Sequence, residues 1–227
     1  MSTRGDVEGF SLGSGWVVGL DEVGAGCLAG PLYVVAFAFP VEAANEIQLP
    51  VRITDSKKLN PEKRKEAALL LRKIPGCIFK TLVFNVAEIE EVNIYWARMK
   101  AFWSLILDLD QQLAGKAQYI VDGPKLGKKH HVTPSIDALE MIELEKRIFA
   151  QSKADSSFFA VAAASILAKV TRDDFMKELG ESFSHYNWEK NKGYATPDHI
   201  AAIREHGICP HHRKSFCGNF ISSEKTI

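Results

Sequence analysis

The chain has 227 residues, 46% hydrophobic and 25% charged, with 28 basic and 28 acidic side chains, which places it among ordinary globular proteins of one sizeable domain, or one domain with an appendage. A net charge of zero does not announce a nucleic-acid partner, so any basic surface has to be local. No apolar run is long enough to span a membrane, the polar N-terminus MSTRGDVEGFSLGSG is no signal peptide, and the four cysteines lack disulfide-framework or CxxC spacing, so a reduced, cytoplasmic protein is expected.

In chain order, residues 1–14 read as a loose terminus. Apolar runs at 16–21 and 31–40 predict two strands, joined by a turn containing Gly24, Gly26 and Gly30. RITDSKKLN at 52–60 is a polar loop, and Pro61 suits the first turn of a helix that Pro75-Gly76 stops. IFKTLVFN at 78–85 alternates as a third strand. Ile89, Val92, Ala97, Ala101, Leu105 and Leu109 recur near period 3.6, predicting one long helix over 87–113. QYIV at 118–121 is a buried strand ending at Asp122-Gly123. KLGKKHHVTPS is a loop, 137–146 a helix and 147–151 a short fifth strand. The alanine-rich run after Asp155 is apolar nearly all round and predicts a buried helix with Asp155 as its cap or first-turn acid. Residues 181–195 read as an irregular loop, 197–206 as a last helix capped by Gly207, and the tail after Phe220 as disordered. Strands and helices in this order suggest a mixed sheet covered by helices.

Asp21 and Glu22 close the first strand, Asp122 closes the fourth, and Asp155 opens the buried helix. In a mixed α/β sheet such positions can converge on one edge, provided the first and fourth strands pair. Acids at the end of a buried strand are costly unless a cation joins them. All-oxygen ligands suit hard divalent ions such as Mg²⁺ or Mn²⁺, and two such ions roughly 4 Å apart would support in-line displacement at phosphorus. Taken singly, Asp122 equally suits an ordinary turn and Asp155 a plain helix cap.

Six blocks in register carry a resemblance to the type 2 ribonucleases H (ribonuclease HII): GLDEVGAGCLAGPL, TDSKKLNPEKR, VNIYWARMKAF, IVDG, KADSSFFAVAAASILAKVTRD and KGYATPDHIAAIREHGICPHHRKSF. The resemblance implies a ribonuclease H-like α/β fold, with a mixed five-stranded sheet flanked by helices. Residues 1–180 would form the catalytic domain and 181–227 a helical C-terminal extension that helps bind substrate. It implies an endoribonuclease that hydrolyses the RNA strand of RNA/DNA hybrids. The enzyme would also cleave 5′ of ribonucleotides embedded in duplex DNA, leaving 5′-phosphate and 3′-hydroxyl ends, a role in ribonucleotide removal and in replication and repair. By position, the family's four acids fall on Asp21, Glu22, Asp122 and Asp155, which would hold two Mg²⁺ or Mn²⁺ ions. Asp21 would bridge both, Glu22 and Asp122 would complete the water-activating side, and Asp155 would serve the leaving-group side.

One departure stands out. The family's Gly-Arg-Gly is Gly24-Ala25-Gly26 here, a loop that the resemblance assigns to reading the junction of ribose and deoxyribose, together with Tyr194. Ala25 keeps the backbone but loses a guanidinium. Phosphate contact is expected first from Lys57 and Lys58, then from Arg213. The resemblance implies RNA/DNA hybrid and ribonucleotide-containing duplex as partners. No membrane association, no clear sliding-clamp peptide and a monomer are expected. The spacing of Cys209, His211, His212 and Cys217 matches no common zinc pattern. His199 and His206 are expected to cap or face solvent on the last helix, and Trp96, Phe102 and Trp103 to be core rather than a base-stacking platform.

Overall fold

The computed structural model describes residues 15–45, 47, 53, 59–127 and 136–221. Five strands, β1 (Trp16–Val23), β2 (Leu32–Pro40), β3 (Ile78–Phe84), β4 (Ala117–Asp122) and β5 (Ile148–Gln151), form one mixed sheet in the order β3-β2-β1-β4-β5. The central strand β1 pairs antiparallel with β2 and parallel with β4. The helices are α1 (Pro61–Leu71), α2 (Val86–Val92), α3 (Ile94–Gln112), α4 (Ala138–Glu145), α5 (Phe159–Ser182), α6 (Trp188–Asn191), α7 (Pro197–His206) and α8 (Lys214–Cys217). None of them is long and apolar enough to cross a membrane.

Side chains alternate between the two faces of a strand, and this splits the core in two. Val17, Val23, Val35, Phe37, Phe39 and Ile120 pack with α5, whereas Val18, Leu20, Val34, Ala36, Tyr119 and Val121 pack with α3. The helix α5 lies almost on the backbone of β1. A Cβ built on Gly19 would stand 2.1 Å from the carbonyl carbon of Ala160, so glycine at 19 and alanines along α5 are what permit that approach. Phe102 and Trp103 are buried in the α3 core, as expected, whereas Trp96 is half-buried and packs against its edge.

Three expectations are corrected. The single helix over 87–113 is two helices, because Asn93 takes φ +67° and its side chain accepts the Trp96 N–H at 3.1 Å, starting α3 afresh. Apolar periodicity runs on across that break, which hides it in the sequence. Asp155 does not cap the long helix; it sits in a 3₁₀ turn, Ala154–Ser156, and α5 begins at Phe159. Residues 181–195 are not an irregular loop throughout: α5 runs to Ser182, and a 3₁₀ turn (Ser184–Tyr186) and α6 come after it.

The segment after α5 builds a third core of Tyr186, Trp188, Ala202, Ile203 and Cys217 against Leu28, Ala29 and Met176. It is thereby sewn to the loop between β1 and β2. The expectations for residues 1–14 lie outside the described residues, as do those for most of 52–60, for 128–135 and for 222–227.

Candidate active site

The parallel register of β1 and β4 runs from Trp16↔Ala117 to Leu20↔Val121, so Asp21 and Asp122 come next, side by side at the strand ends. The pairing that the sequence left open is therefore present. Asp21, Glu22, Asp122 and Asp155 line one cavity of about 450 Å³, together with Gly24, Ala25, Gly26, Ser165, Lys169 and Tyr194. Strand alternation divides the adjacent acids. Asp21 shares a face with Val17 and Val23, toward α5, and Glu22 shares the face of Val18 and Leu20, toward α3.

Each acid has a protein partner. Asp21 Oδ1 accepts the Glu22 N–H at 2.7 Å, and the Asp21 carboxylate also accepts a hydrogen bond from Ser165. Asp122 Oδ1 accepts the Ala154 N–H at 2.8 Å, tying the end of β4 to the turn that carries Asp155. Glu22 Oε1 stands 2.9 Å from Arg98 Nε, while its Oε2 is buried without a hydrogen-bond donor. Burial pushes the Asp21 carboxyl well above its usual range, Glu22 and Asp122 push it further, and the bonds from Ser165 and the Glu22 N–H oppose this. Burial also raises Glu22, with Arg98 pulling the other way.

Asp21 and Asp155 are only 5% and 7% exposed, and buried like charges repel strongly. An all-oxygen donor set, mutual repulsion and an acceptor atom without a donor together fit a hard divalent cation. The fit is incomplete as the side chains stand: among the described residues, no three His, Cys, Asp or Glu side chains form a ready metal-ligand group. Glu22, drawn to Arg98, would have to turn.

The glycine loop is held from behind by two buried arginines. Arg172 donates to the carbonyls of Pro31, Lys192 and Ala29 at 2.9, 2.9 and 3.0 Å. Arg213 donates to Gly30 O from Nε at 3.1 Å and from Nη2 at 2.8 Å, and to Ala25 O from Nη1 at 2.9 Å. Gly24 has φ +93°, and a Cβ there would meet Arg172 Nε at 2.3 Å, so this corner needs glycine on both counts. Around Gly26, by contrast, a Cβ would meet nothing within 4 Å. Tyr194 is 38% exposed at the cavity wall, with Lys169 Nζ 5.5 Å and the Arg172 guanidinium 5.9 Å from its ring centre.

Arg213 is where the sequence reading needs correction. It is fully buried, and its guanidinium is spent on backbone carbonyls, so it shapes the loop rather than presenting a cation to a phosphate. His199 is also fully buried rather than solvent-facing. Its Nδ1 lies 2.9 Å from Tyr194 O, and its Nε2 lies 2.9 Å from Trp188 Nε1 and 3.1 Å from His212 Nε2. The Cys209 N–H donates to His212 Nδ1, so His212 carries its proton on Nε2 and donates to His199. Both rings are neutral in this chain of bonds; burial and then His199 push His212 down to about 3.

Lys57 and Lys58 lie outside the described residues. Ser165, Lys169, Arg98, Arg172 and the histidine pair were not singled out as site groups by sequence reasoning. Ser165 and Lys169 could have been: four apart on a helix, they share the face that meets Asp21. Arg172, a charge in a helix apolar nearly all round, carried a signal too.

Comparison with solved structures identifies the class first. A ribonuclease HII from Archaeoglobus fulgidus, solved as a complex with PCNA, superposes with a TM-score of 0.67 at 29% identity, covering 87% of this chain and 93% of that one. A ribonuclease H2 from Pyrococcus horikoshii shares the fold with a TM-score of 0.66 at 24% identity, over 90% of this chain and 96% of that one. The architecture is the ribonuclease H-like fold. The ribonuclease HII family model matches residues 18–219. Ribonuclease HII of Bacteroides thetaiotaomicron is 36% identical over 87% of this chain and 88% of its own length; that of Rickettsia canadensis is 38% identical over 88% and 89%. The chain belongs to the ribonuclease HII family, metal-dependent endonucleases that cleave the RNA strand of RNA/DNA hybrids.

Proposed function

We propose that this ribonuclease hydrolyses RNA/DNA hybrids and also cleaves 5′ of ribonucleotides embedded in duplex DNA, with Asp21, Glu22, Asp122 and Asp155 as the metal-binding and catalytic acids. The observation that carries this reading is the shared cavity: the four acids lie in the same 450 Å³ space as Gly24, Ala25, Gly26 and Tyr194. The groups suited to the reaction thus adjoin the groups suited to reading a sugar. Two bound Mg²⁺ or Mn²⁺ ions would supply an activated water and stabilise charge on the phosphate and on the leaving 3′-oxygen.

The protein's own groups would divide the work. Asp21, on the central strand, would be shared between both ion positions. Glu22 and Asp122 would complete the side that orients the attacking water, and Asp155 the side of the leaving group. Water oxygen bonds to phosphorus, the P–O3′ bond breaks, and the water proton leaves to solvent while the 3′-oxygen takes one up. The products are a 5′-phosphate and a 3′-hydroxyl. Gly26, open toward the cavity, would admit the backbone close to a ribose 2′-hydroxyl, and the Tyr194 ring would pack on the deoxyribose beyond it. Lys57 and Lys58 would contact backbone phosphates.

The same reading divides the chain into a catalytic domain over 1–180 and an extension over 181–227. The third core, which joins Tyr186, Trp188 and Cys217 to Leu28 and Ala29, supports a role for the extension in shaping the glycine loop.

The test is cleavage of three duplexes in Mg²⁺ and in Mn²⁺: uniform RNA/DNA hybrid, DNA with one ribonucleotide, and the same DNA without it. The expected result is cleavage of the first two, with the second cut 5′ of the ribonucleotide. Cutting the hybrid alone would remove the embedded-ribonucleotide activity, and cutting the all-DNA duplex would point to a DNA nuclease of the same fold.

A further inference from the structure

Arg98, on α3, sits in a place built for it. The residue after Asp122 is Gly123 at φ +124°, and a Cβ there would stand 2.2 Å from Arg98 Nη2. Arg98 Nη2 instead donates to the Asp122 carbonyl at 2.8 Å. The guanidinium carbon lies 5.2 Å from the centre of the Phe102 ring, one turn along the same helix. From this seat Nε reaches Glu22 Oε1 at 2.9 Å, with both side chains about 15% exposed (15% and 16%). The Nε–H does not point along that contact, so the pair is ionic without an aligned hydrogen bond. The other carboxylate oxygen of Glu22, Oε2, is buried and has no donor. Glu22 is thus held by charge, on the α3 face of β1, away from the face that Asp21 shares with α5.

We propose that Arg98 is an internal counter-cation that occupies Glu22 in the ion-free enzyme and competes with a divalent ion for it. This rests on the reading of Glu22 as a metal ligand. Two charges that attract at contact in a partly buried site lower each other's affinity for third parties. A divalent ion recruiting Glu22 must therefore displace Arg98 from the carboxylate, while the bond from Arg98 to the Asp122 carbonyl can stay. Arg98 would set how much Mg²⁺ or Mn²⁺ the enzyme needs, and prevent Glu22 from standing unpaired when no ion is bound.

The experiment is calorimetric titration of the full-length protein with Mn²⁺ alone, without substrate. Arg98→Gln should bind Mn²⁺ about tenfold more tightly than the wild type, and Arg98→Lys, which keeps the charge, should stay near it. Unchanged or weaker binding in a folded Arg98→Gln protein overturns the proposal. Glu22→Gln separates the two readings: if it weakens Mn²⁺ binding while Arg98→Gln fails to tighten it, only the Arg98 proposal falls. If wild type and Glu22→Gln bind alike, the ligand assignment falls with it. The unmutated chain gives a second readout in case Arg98→Gln does not fold. The ¹⁵N resonance of Arg98 Nε should shift as Mg²⁺ saturates the site, and a resonance that stays put contradicts the displacement.

Discussion

The Arg213 guanidinium donates to the carbonyl of Ala25 at 2.9 Å, across 188 positions of sequence. With its two bonds to Gly30 O, it fixes both ends of the glycine loop from inside the protein. Arg213→Ala would leave the buried Gly30 carbonyl and the half-buried Ala25 carbonyl without that donor and open a cavity. The expected cost is about 3 kcal/mol, and roughly 6–12 °C in Tm. Arg213→Lys should recover little of it, since an ammonium cannot span both carbonyls as the guanidinium does. Thermal unfolding of the two variants checks this. A loss of phosphate affinity with unchanged Tm would instead return Arg213 to the role that the sequence suggested.

Two glycines should respond in opposite ways. Gly19→Ala drives a methyl into the backbone of α5 at 2.1 Å, and is expected to cost at least about 3 kcal/mol, since neither strand nor helix can withdraw. Gly26→Ala meets no protein atom within 4 Å, so Tm should stay within about 1 °C of wild type while affinity for a ribonucleotide-containing duplex falls. Melting curves paired with binding isotherms test both.

Restoring an arginine at 25 should strengthen action on a single embedded ribonucleotide. Ala25 is half-buried at the cavity, and its carbonyl is already held by Arg213, so a longer side chain leaves the loop backbone in place. A charge-assisted contact to phosphate is worth about 1.5–3 kcal/mol, or roughly tenfold or more in kcat/KM. Cleavage of a single-ribonucleotide duplex by Ala25→Arg is the measurement; an unchanged or lower rate counts against the assignment of this loop.

Two groups give stability opposite dependences on pH. Asp21 has its folded pKa raised above 3.8, so the folded chain holds that proton more tightly than the unfolded one; stability falls as pH rises through the window above 3.8. His212 is lowered from 6.5 to about 3, so stability falls as pH drops through 6.5 toward 3, at up to ~1.4 kcal/mol per pH unit. In chelator, Asp21→Asn should therefore raise Tm at neutral pH. His212→Gln should flatten the acid limb between 6.5 and 3. Denaturant melts across pH read both slopes.

How far the sequence could be read depended on how local each signal was. Asp21 and Asp122 were legible because each ends an apolar run, and the end of a buried strand is where side chains reach the edge of the sheet. Asp155 was legible as an acid before a buried helix, although the intervening 3₁₀ turn was not. Glu22 and Arg98 meet on the α3 face of the sheet, to which only the period-2 pattern of β1 assigns Glu22, and the guanidinium that meets Glu22 comes from a helix whose start at Asn93 was hidden. Arg213 and His199 look like surface groups in sequence. They are buried among carbonyl and imidazole acceptors that no periodicity announces.

On the function proposed above, the acids at the ends of β1 and β4 act as one metal site with Asp21 at its heart. This is tested most directly by Mg²⁺-dependent cleavage of an RNA/DNA hybrid by Asp21→Asn, with Tm measured alongside. The expected result is a loss of more than about 100-fold, beyond what removing a mere supporting contact costs, in a protein that melts no lower than wild type. Turnover at the wild-type rate by that variant would contradict it.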